Sequence, residues 1–461
     1  AGTAAGAVTL QVEGGDLSDG LGILCFQGLL RLEVREPRLG TEELLLPQLT
    51  ALTTASGELT DLTPLSSLTS LEELTILNCP LRSLEGVDAL TALKSLSLTG
   101  TDLTDLSVLA ALKGLTHLTL ADNDDLNSVA SLAQMSQLTS LRLSGEAITD
   151  LSPIAGLASL KELSVTNTGV RSTAFLSGLR QLEELTFTSN DEVENVPELG
   201  ELTGLTRLVL DSDENFESQA DMAALTHLTS LELLSTKELS YLLPLANLED
   251  LTLYFTRSET DLSALSGFTH LRRLDLRGEE SFYANYSTSL IGLSGLQGLP
   301  LEELDLGGHT VYGPLDPIFS ISTLQVLDLS EVSAEGTDFS RLSVLTQLRR
   351  LDLSGFRDMV DTPPGPGELY WSYEAGPAST FVMPLASLTG LQELDLSDCG
   401  VEDLSPLSGL TGLTWLVLSN NSISDLSPLS GLTGLSYLNL SGNPIPDYSP
   451  VEDRDGLVLI R

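Results

Sequence analysis

The sequence predicts an α/β fold of one kind: a right-handed solenoid (horseshoe) whose turns each add one parallel strand to a concave sheet of about 18 strands. The convex side is expected to hold only 3₁₀ turns or short helices. Two observations carry this. Residues 391–456 read LQELDLSDCGVEDLSPLSGLTG, LTWLVLSNNSISDLSPLSGLTG and LSYLNLSGNPIPDYSPVEDRDG, a period of 22 residues. A unit that short cannot bury its apolar side alone and needs a neighbour on each face. The L-x-x-L-x-L spacing of those units also tracks back through Leu348, Leu301, Leu248, Leu182, Leu115 and Leu71 to Leu29, 18 units in all.

In chain order, residues 1–28 lack the repeat and are read as an N-terminal cap, with Val8 to Val12 alternating like an edge strand. Residues 29–451 are repeats. The segments between strands are short and often broken by Pro, which leaves room for 3₁₀ turns only. Residues 452–461 close the array, with Asp455-Gly456 turning the chain into a cap strand, Leu457 to Ile460. A solenoid grows by adding repeats rather than by enlarging one core, so a single domain spanning residues 1–461 is expected. Regularity fails at the units that begin at Leu271, Leu301 and Leu348, which are 30, 23 and 43 residues long. Their insertions, near 279–298, 309–320 and 357–380, follow the strand and are expected to emerge along one rim.

This is a leucine-rich-repeat array, and its unit resembles that of the internalins, surface proteins of Gram-positive bacteria. Their 22-residue repeat also ends in D-L-x-P-L, which here reads Asp403-Leu404-Ser405-Pro406-Leu407 and Asp425-Leu426-Ser427-Pro428-Leu429. The resemblance implies a non-catalytic, secreted or cell-surface bacterial binding module that engages a protein partner through its concave face and insertion rim. A carbohydrate-binding or cell-wall-associated scaffold is the alternative. The ninth position of such a unit takes Asn, whose amide pairs with backbone of the adjacent turn. It is Asn123, Asn190, Asn421 and Asn443 here, replaced elsewhere by Thr101, Thr168, Thr236, Thr256, Cys79 and Cys399. The two cysteines are therefore structural.

Composition narrows the function. The chain has 65 Asp and Glu against 22 Lys and Arg, a formal charge of −43. That argues against nucleic acid and anionic lipid, which require basic patches, and favours cationic partners. No apolar run is long enough to span a membrane. The chain begins at Ala1 with neither Met nor a basic-then-apolar leader, as a mature or trimmed chain would. No enzyme is expected, since His117, His227, His270 and His309 are scattered and no nucleophile or phosphate-loop motif occurs. No cofactor and no metal site is expected either. The acidic stretch from Asp211 begins like a calcium loop but has Phe216 and Met222 where Gly and Glu are required. A monomer is expected.

Three groups are candidates for partner contact. Strand residues alternate, so positions three, five and seven of a unit face the concave side. Position five is Asp275, Asp305, Asp328, Asp352 and Asp395 in five consecutive units, an acidic row that Arg273, Arg277 and Arg350 could compensate. Trp415 and Tyr437 hold position three of adjacent units and should stand side by side. Aromatics concentrate between Tyr254 and Phe381. Phe268, Phe339 and Phe381 fall at core positions, whereas Tyr283, Tyr286, Tyr312, Tyr370, Trp371 and Tyr373 lie in the insertions. Presented rings offer large rigid contact area to a protein, or to a glycan that stacks on them.

Overall fold

The computed structural model describes residues 9–16, 29–38, 46–211, 219–236, 239–255, 259–276, 289–358, 379–452 and 454–461. Contacts divide the chain into two compact units, Ala1–Leu228 and Thr229–Arg461. In the first, parallel strands recur from Thr9–Asp16 and Arg31–Arg38 through to Arg207–Leu210. In the second they run from Ser230–Thr236 to Val458–Ile460. Every strand that a repeat leucine was expected to lead is present, and two end strands are added. Thr9–Asp16 pairs with Arg31–Arg38, Thr9 opposite Arg31, and Val458–Ile460 pairs with Tyr437–Asn439, Val458 opposite Tyr437. The longest helix among the described residues is the seven-residue Ser379–Leu385, and the return segments are 3₁₀ turns such as Ser405–Leu407 and Ser427–Gly431.

Burial follows the repeat. Leu391, Leu394, Leu396, Leu404, Leu407 and Leu410 are all at most 1% exposed. Each contributes roughly 1.5–3 kcal/mol of transfer free energy, and each does so only because the next turn covers it. The D-L-S-P segment has a separate reason. Asp403 accepts the Ser405 N–H at 2.8 Å, and Asp425 accepts that of Ser427 at 2.8 Å, so the aspartate caps the donors that open the 3₁₀ turn. Pro at the second position needs no partner for its missing N–H. Bonds from Ser405 and Ser427 hold both carboxyls below the ordinary carboxylate range.

At the end of each strand the chain must bend inside the protein, and two positions manage the bend. Every described non-glycine residue with positive φ occupies the eighth position of a unit: Ser56, Asn78, Asp122, Asn167, Ser189, Glu331, Asp398 and Asn420. Left-handed backbone is tolerated by Asn and Asp because their short polar chains bond locally. Glycine takes the place at Gly100, Gly355 and Gly442. The ninth position then supplies the amide. Asn421 accepts from Cys399 N at 3.1 Å and Val401 N at 2.9 Å while donating to Leu396 O at 2.8 Å. Asn123 and Asn190 likewise accept from Thr101 N and Thr168 N, at 3.0 and 3.1 Å. Cys399 sits 2.9 Å from Leu353 O, and burial pushes its thiol up to about 12. Cys79 is also buried and free, as a structural cysteine should be.

A second ladder passes through the three insertions and through the Leu248 and Leu324 units, which carry none. Five short parallel strands, Glu259–Asp261, Ser289–Ile291, Thr310–Val311, Ser333–Ala334 and Arg357–Asp358, pair in that order just after the main strands. Leu290, Val311 and Ala334 on them are fully buried. Parts of the inserted segments are thus packed strand, not surface loop. Substituting Asn421 tests the ladder amide. Asn421→Ala strands three buried backbone groups, each worth about 1–3 kcal/mol, and is expected to lower unfolding stability by at least about 3 kcal/mol in urea titration. Ser422→Ala, at an exposed neighbour, should stay within about 0.5 kcal/mol.

Candidate binding face of the C-terminal unit

The leucines that build the core leave alternate strand residues on the open face of the sheet, and parallel pairing aligns them into rows. In the Thr229–Arg461 unit, Asp275, Asp305, Asp328, Asp352 and Asp395 are direct cross-strand partners, each to the next. The row continues as Val417, Asn439 and Ile460. Beside it a second row runs Asp250, Arg273, Glu303, Val326, Arg350, Glu393, Trp415, Tyr437 and Val458. In the Ala1–Leu228 unit the matching row is largely hydroxyl: Thr53, Thr75, Ser97 and Thr119, then Arg142, Ser164 and Thr186. Hydroxyls stand in register at no electrostatic cost. Carboxylates about 4.8 Å apart do not.

Two devices hold the aspartates. Four of the five close a turn at the strand end: Asp352 accepts Ser354 N at 2.9 Å and Ser354 Oγ at 2.6 Å, and Asp395 accepts Ser397 N at 2.8 Å. Asp305 and Asp328 accept the N–H two residues on, from Gly307 and Ser330, both at 2.9 Å. That is the physical content of the L-D-L-S consensus. The second device is ion pairing. Arg273 reaches Asp275 at 3.5 Å, Glu303 at 3.4 Å and Asp250 at 3.8 Å, and Asp275 is buried. Arg350 pairs within its own row, with Glu393 at 3.9 Å. Arg277 lies outside the described residues. Between Glu303 and Arg350 the row drops to Val326, opening a cleft of about 210 Å³ over Asp275, Asp305 and Asp328.

The aromatic candidates separate. Trp415 and Tyr437 are cross-strand partners whose rings stack, centroids 5.4 Å apart and planes within 11°. Tyr312, at the end of an inserted strand, is 53% exposed. Tyr283, Tyr286, Tyr370, Trp371 and Tyr373 lie outside the described residues. Phe268 and Phe339 are core, the latter packed edge-on against Phe356 at 5.1 Å. His309 is a residue that sequence reasoning passed over: it is 1% exposed and its Nε2 meets Leu276 O. It stands at the ninth position and replaces the ladder asparagine, which counting from Leu301 would have shown. The Asp211 carboxylate, at the start of the calcium-loop-like stretch, accepts Ser189 N at 2.8 and 2.9 Å.

The row has a pH signature. Burial pushes the Asp352 carboxyl up to about 6, with the like charges of Asp328 and Asp395 adding and the Ser354 bonds opposing. Asp395 is raised too, burial first. A carboxyl whose folded pKa exceeds its unfolded value of about 3.9 holds its proton more tightly when folded. Its contribution therefore favours folding at low pH and is lost as pH rises from about 4 to about 6. Asn439 occupies the same position two strands beyond Asp395 and accepts Ser441 N at 3.1 Å, so Asn preserves the turn. Asp352→Asn is expected to raise stability at pH 7.5 by about 1–3 kcal/mol, with a change under about 1 kcal/mol at pH 4. Urea midpoints at both pH values read it; equal changes would place the cost elsewhere.

Residues 389–445 match the family model for the leucine rich repeat. No curated protein matches the chain. Among solved structures, an internalin from Listeria monocytogenes is similar at 21% identity and a TM-score of 0.38, covering 85% of this chain and 87% of that one. A leucine-rich-repeat protein of Leptospira interrogans is similar at 20% identity and a TM-score of 0.49, covering 90% of each chain. The TLR13–ssRNA13 complex gives 18% identity and a TM-score of 0.56 over 94% of this chain and 77% of that one. The 22-residue repeat, the parallel ladder, the 3₁₀ returns and the family match over residues 389–445 together show a leucine-rich-repeat fold, with a unit similar to that of the internalins.

Proposed function

We propose that the chain is a non-catalytic binding module, secreted or displayed at a bacterial surface, that engages a protein partner through the open face of the Thr229–Arg461 unit and the segments inserted beside it. The observation that supports this most is the juxtaposition on one face of the aspartate row and the stacked Trp415–Tyr437 pair. Folding alone does not ask for that face: the hydroxyl row of the other unit builds the same ladder without like-charge repulsion. Repeat solenoids present such faces as extended binding surfaces. Their partners vary. The charge of −43 favours a cationic protein surface and opposes nucleic acid, including the RNA bound in the TLR13 complex.

An array carrying proteins and glycans tests this. Signal on proteins is expected, and signal in the glycan arm alone would replace the reading with a carbohydrate-binding scaffold. For a protein that binds, the association rate is expected to fall by about tenfold between 50 and 300 mM salt, because the screening length shortens from roughly 14 Å to roughly 6 Å over that range. Replacing Asp305, Asp328 and Asp352 together with Asn should remove most of that salt dependence and leave the fold intact. The inserted aromatics form the second arm: Trp371→Ala with Tyr373→Ala is expected to weaken binding by at least thirtyfold, about 2 kcal/mol, with an unchanged melting temperature. A sharply lower melting temperature with unchanged binding would make those rings packing residues.

A further inference from the structure

The C-terminal end of the open face carries a patch that the aspartate row does not account for. Three consecutive strands, Trp415–Val417, Tyr437–Asn439 and Val458–Ile460, align Trp415, Tyr437 and Val458 in one row and Val417, Asn439 and Ile460 in the next. All but Asn439 are apolar. Val458 is 57% and Ile460 39% exposed, and the Trp415–Tyr437 stack is half-buried beside them. Apolar side chains left contiguous on a sheet face keep a transfer free energy of about 25 cal/mol per Å² in reserve for whatever covers them.

The neighbours of this patch say what the cover must be. The next strand, Glu393–Asp395, sets Glu393 against Trp415 and Asp395 against Val417, and the strand after it sets Asp352 against Asp395. The face therefore changes from aromatic and aliphatic to carboxylate across one strand spacing, about 4.8 Å. An anchor centred on Tyr437 lies two spacings from Asp395 and three from Asp352, roughly 10 and 14 Å. An extended peptide advances about 3.3 Å per residue, so those distances are three and four residues.

We propose that the patch and the adjoining carboxylates form one docking site for an extended basic segment of a protein partner. Its aromatic or large aliphatic side chain seats on Trp415, Tyr437, Val458 and Ile460. Its lysine or arginine, three or four residues away, reaches Asp395 and Asp352. Charge complementarity selects the occupant: an anchor next to acidic residues would bring carboxylate to carboxylate, and a neutral anchor would leave the aspartates unpaired. This inference rests on the reading of the open face as a protein-binding surface and adds to it the composition and spacing of what binds.

The test uses the full chain and capped pentapeptides in titration calorimetry at low salt. Phe-Ser-Gly-Arg-Arg carries the anchor and the spacing; Gly-Ser-Gly-Arg-Arg lacks the anchor, and Phe-Ser-Gly-Glu-Glu reverses the charge. The first is expected to bind at least tenfold more tightly than either of the others. Trp415→Ala with Val458→Ser should bring it to the level of the anchorless peptide. Asp352→Asn with Asp395→Asn should reduce its advantage over the glutamate peptide to less than threefold, and Asn439 shows that the turn survives that change. Circular dichroism melts of both double variants confirm folding. Equal binding of the arginine and glutamate peptides, or an effect of the aspartate pair alone, overturns the inference. If a protein found on the array binds the Trp415→Ala, Val458→Ser variant unchanged, this site fails while the protein-binding reading stands. If the peptides discriminate as expected and no protein on the array binds, the site stands and the broader reading fails.

Discussion

Each turn of this chain buries its leucines only against the turn before and the turn after it, and nearly everything else in the molecule follows from that dependence. Leu394, Leu416 and Leu438 are cross-strand partners and all fully buried. Because one face of every strand must point inward, pairing cannot slip by a single residue without turning the leucines out. Register is thus held by burial, and residues 22 apart in the chain become neighbours about 4.8 Å apart. The polar groups at the strand ends then need partners, and the ladder supplies them. Asn421, Asn443, the buried thiols and His309 are different answers to one requirement at one position.

The same register makes rows out of single residues. An aspartate at position five of one unit is a capped turn; with five in register, burial and then the like charges of Asp328 and Asp395 raise the Asp352 carboxyl. Two aromatics at position three become a stack. The face opposite the core is therefore an amplifier of composition: the hydroxyl row of the Ala1–Leu228 unit and the carboxylate row of the Thr229–Arg461 unit are built on the same backbone. Turn geometry and charge are separable there. The turns served by Asp352 and Asp395 would be served equally by Asn, as Asn439 shows, so the charge adds nothing to the turn and destabilises the row.

The ends and insertions show where a repeat needs help. In the last unit, Arg454 donates to Leu429 O and Leu432 O of the unit before and to Pro450 O, at 2.7–2.9 Å, and so ties the two turns together. The second parallel ladder, from Glu259–Asp261 to Arg357–Asp358, gives backbone in the insertions and in the Leu248 and Leu324 units partners of its own. Phe319, Phe339 and Phe356 fill the space behind it, with ring centroids 5.7 and 5.1 Å apart.

By itself the sequence determined the repeat, the strand register, the 3₁₀ returns and both cap strands. Leucine spacing is a local pattern, and burial of that pattern has one solution. It also placed Trp415 beside Tyr437 and lined up the five aspartates, because counting by the period is equivalent to counting across the sheet. What it did not contain were consequences that depend on how neighbouring side chains share space and charge. Arg350 pairs with Glu393 instead of an aspartate because both stand in one row. The second ladder, through the inserted segments and the Leu248 and Leu324 units, was not legible because stretches of two or three residues carry no periodicity of their own. His309 enters the ladder because the buried bend needs a polar side chain and accepts an imidazole. Left-handed backbone at the eighth position and the exposed patch at Val458 and Ile460 also came only from the tertiary structure, since φ and exposure belong to the assembled turns and not to any residue alone.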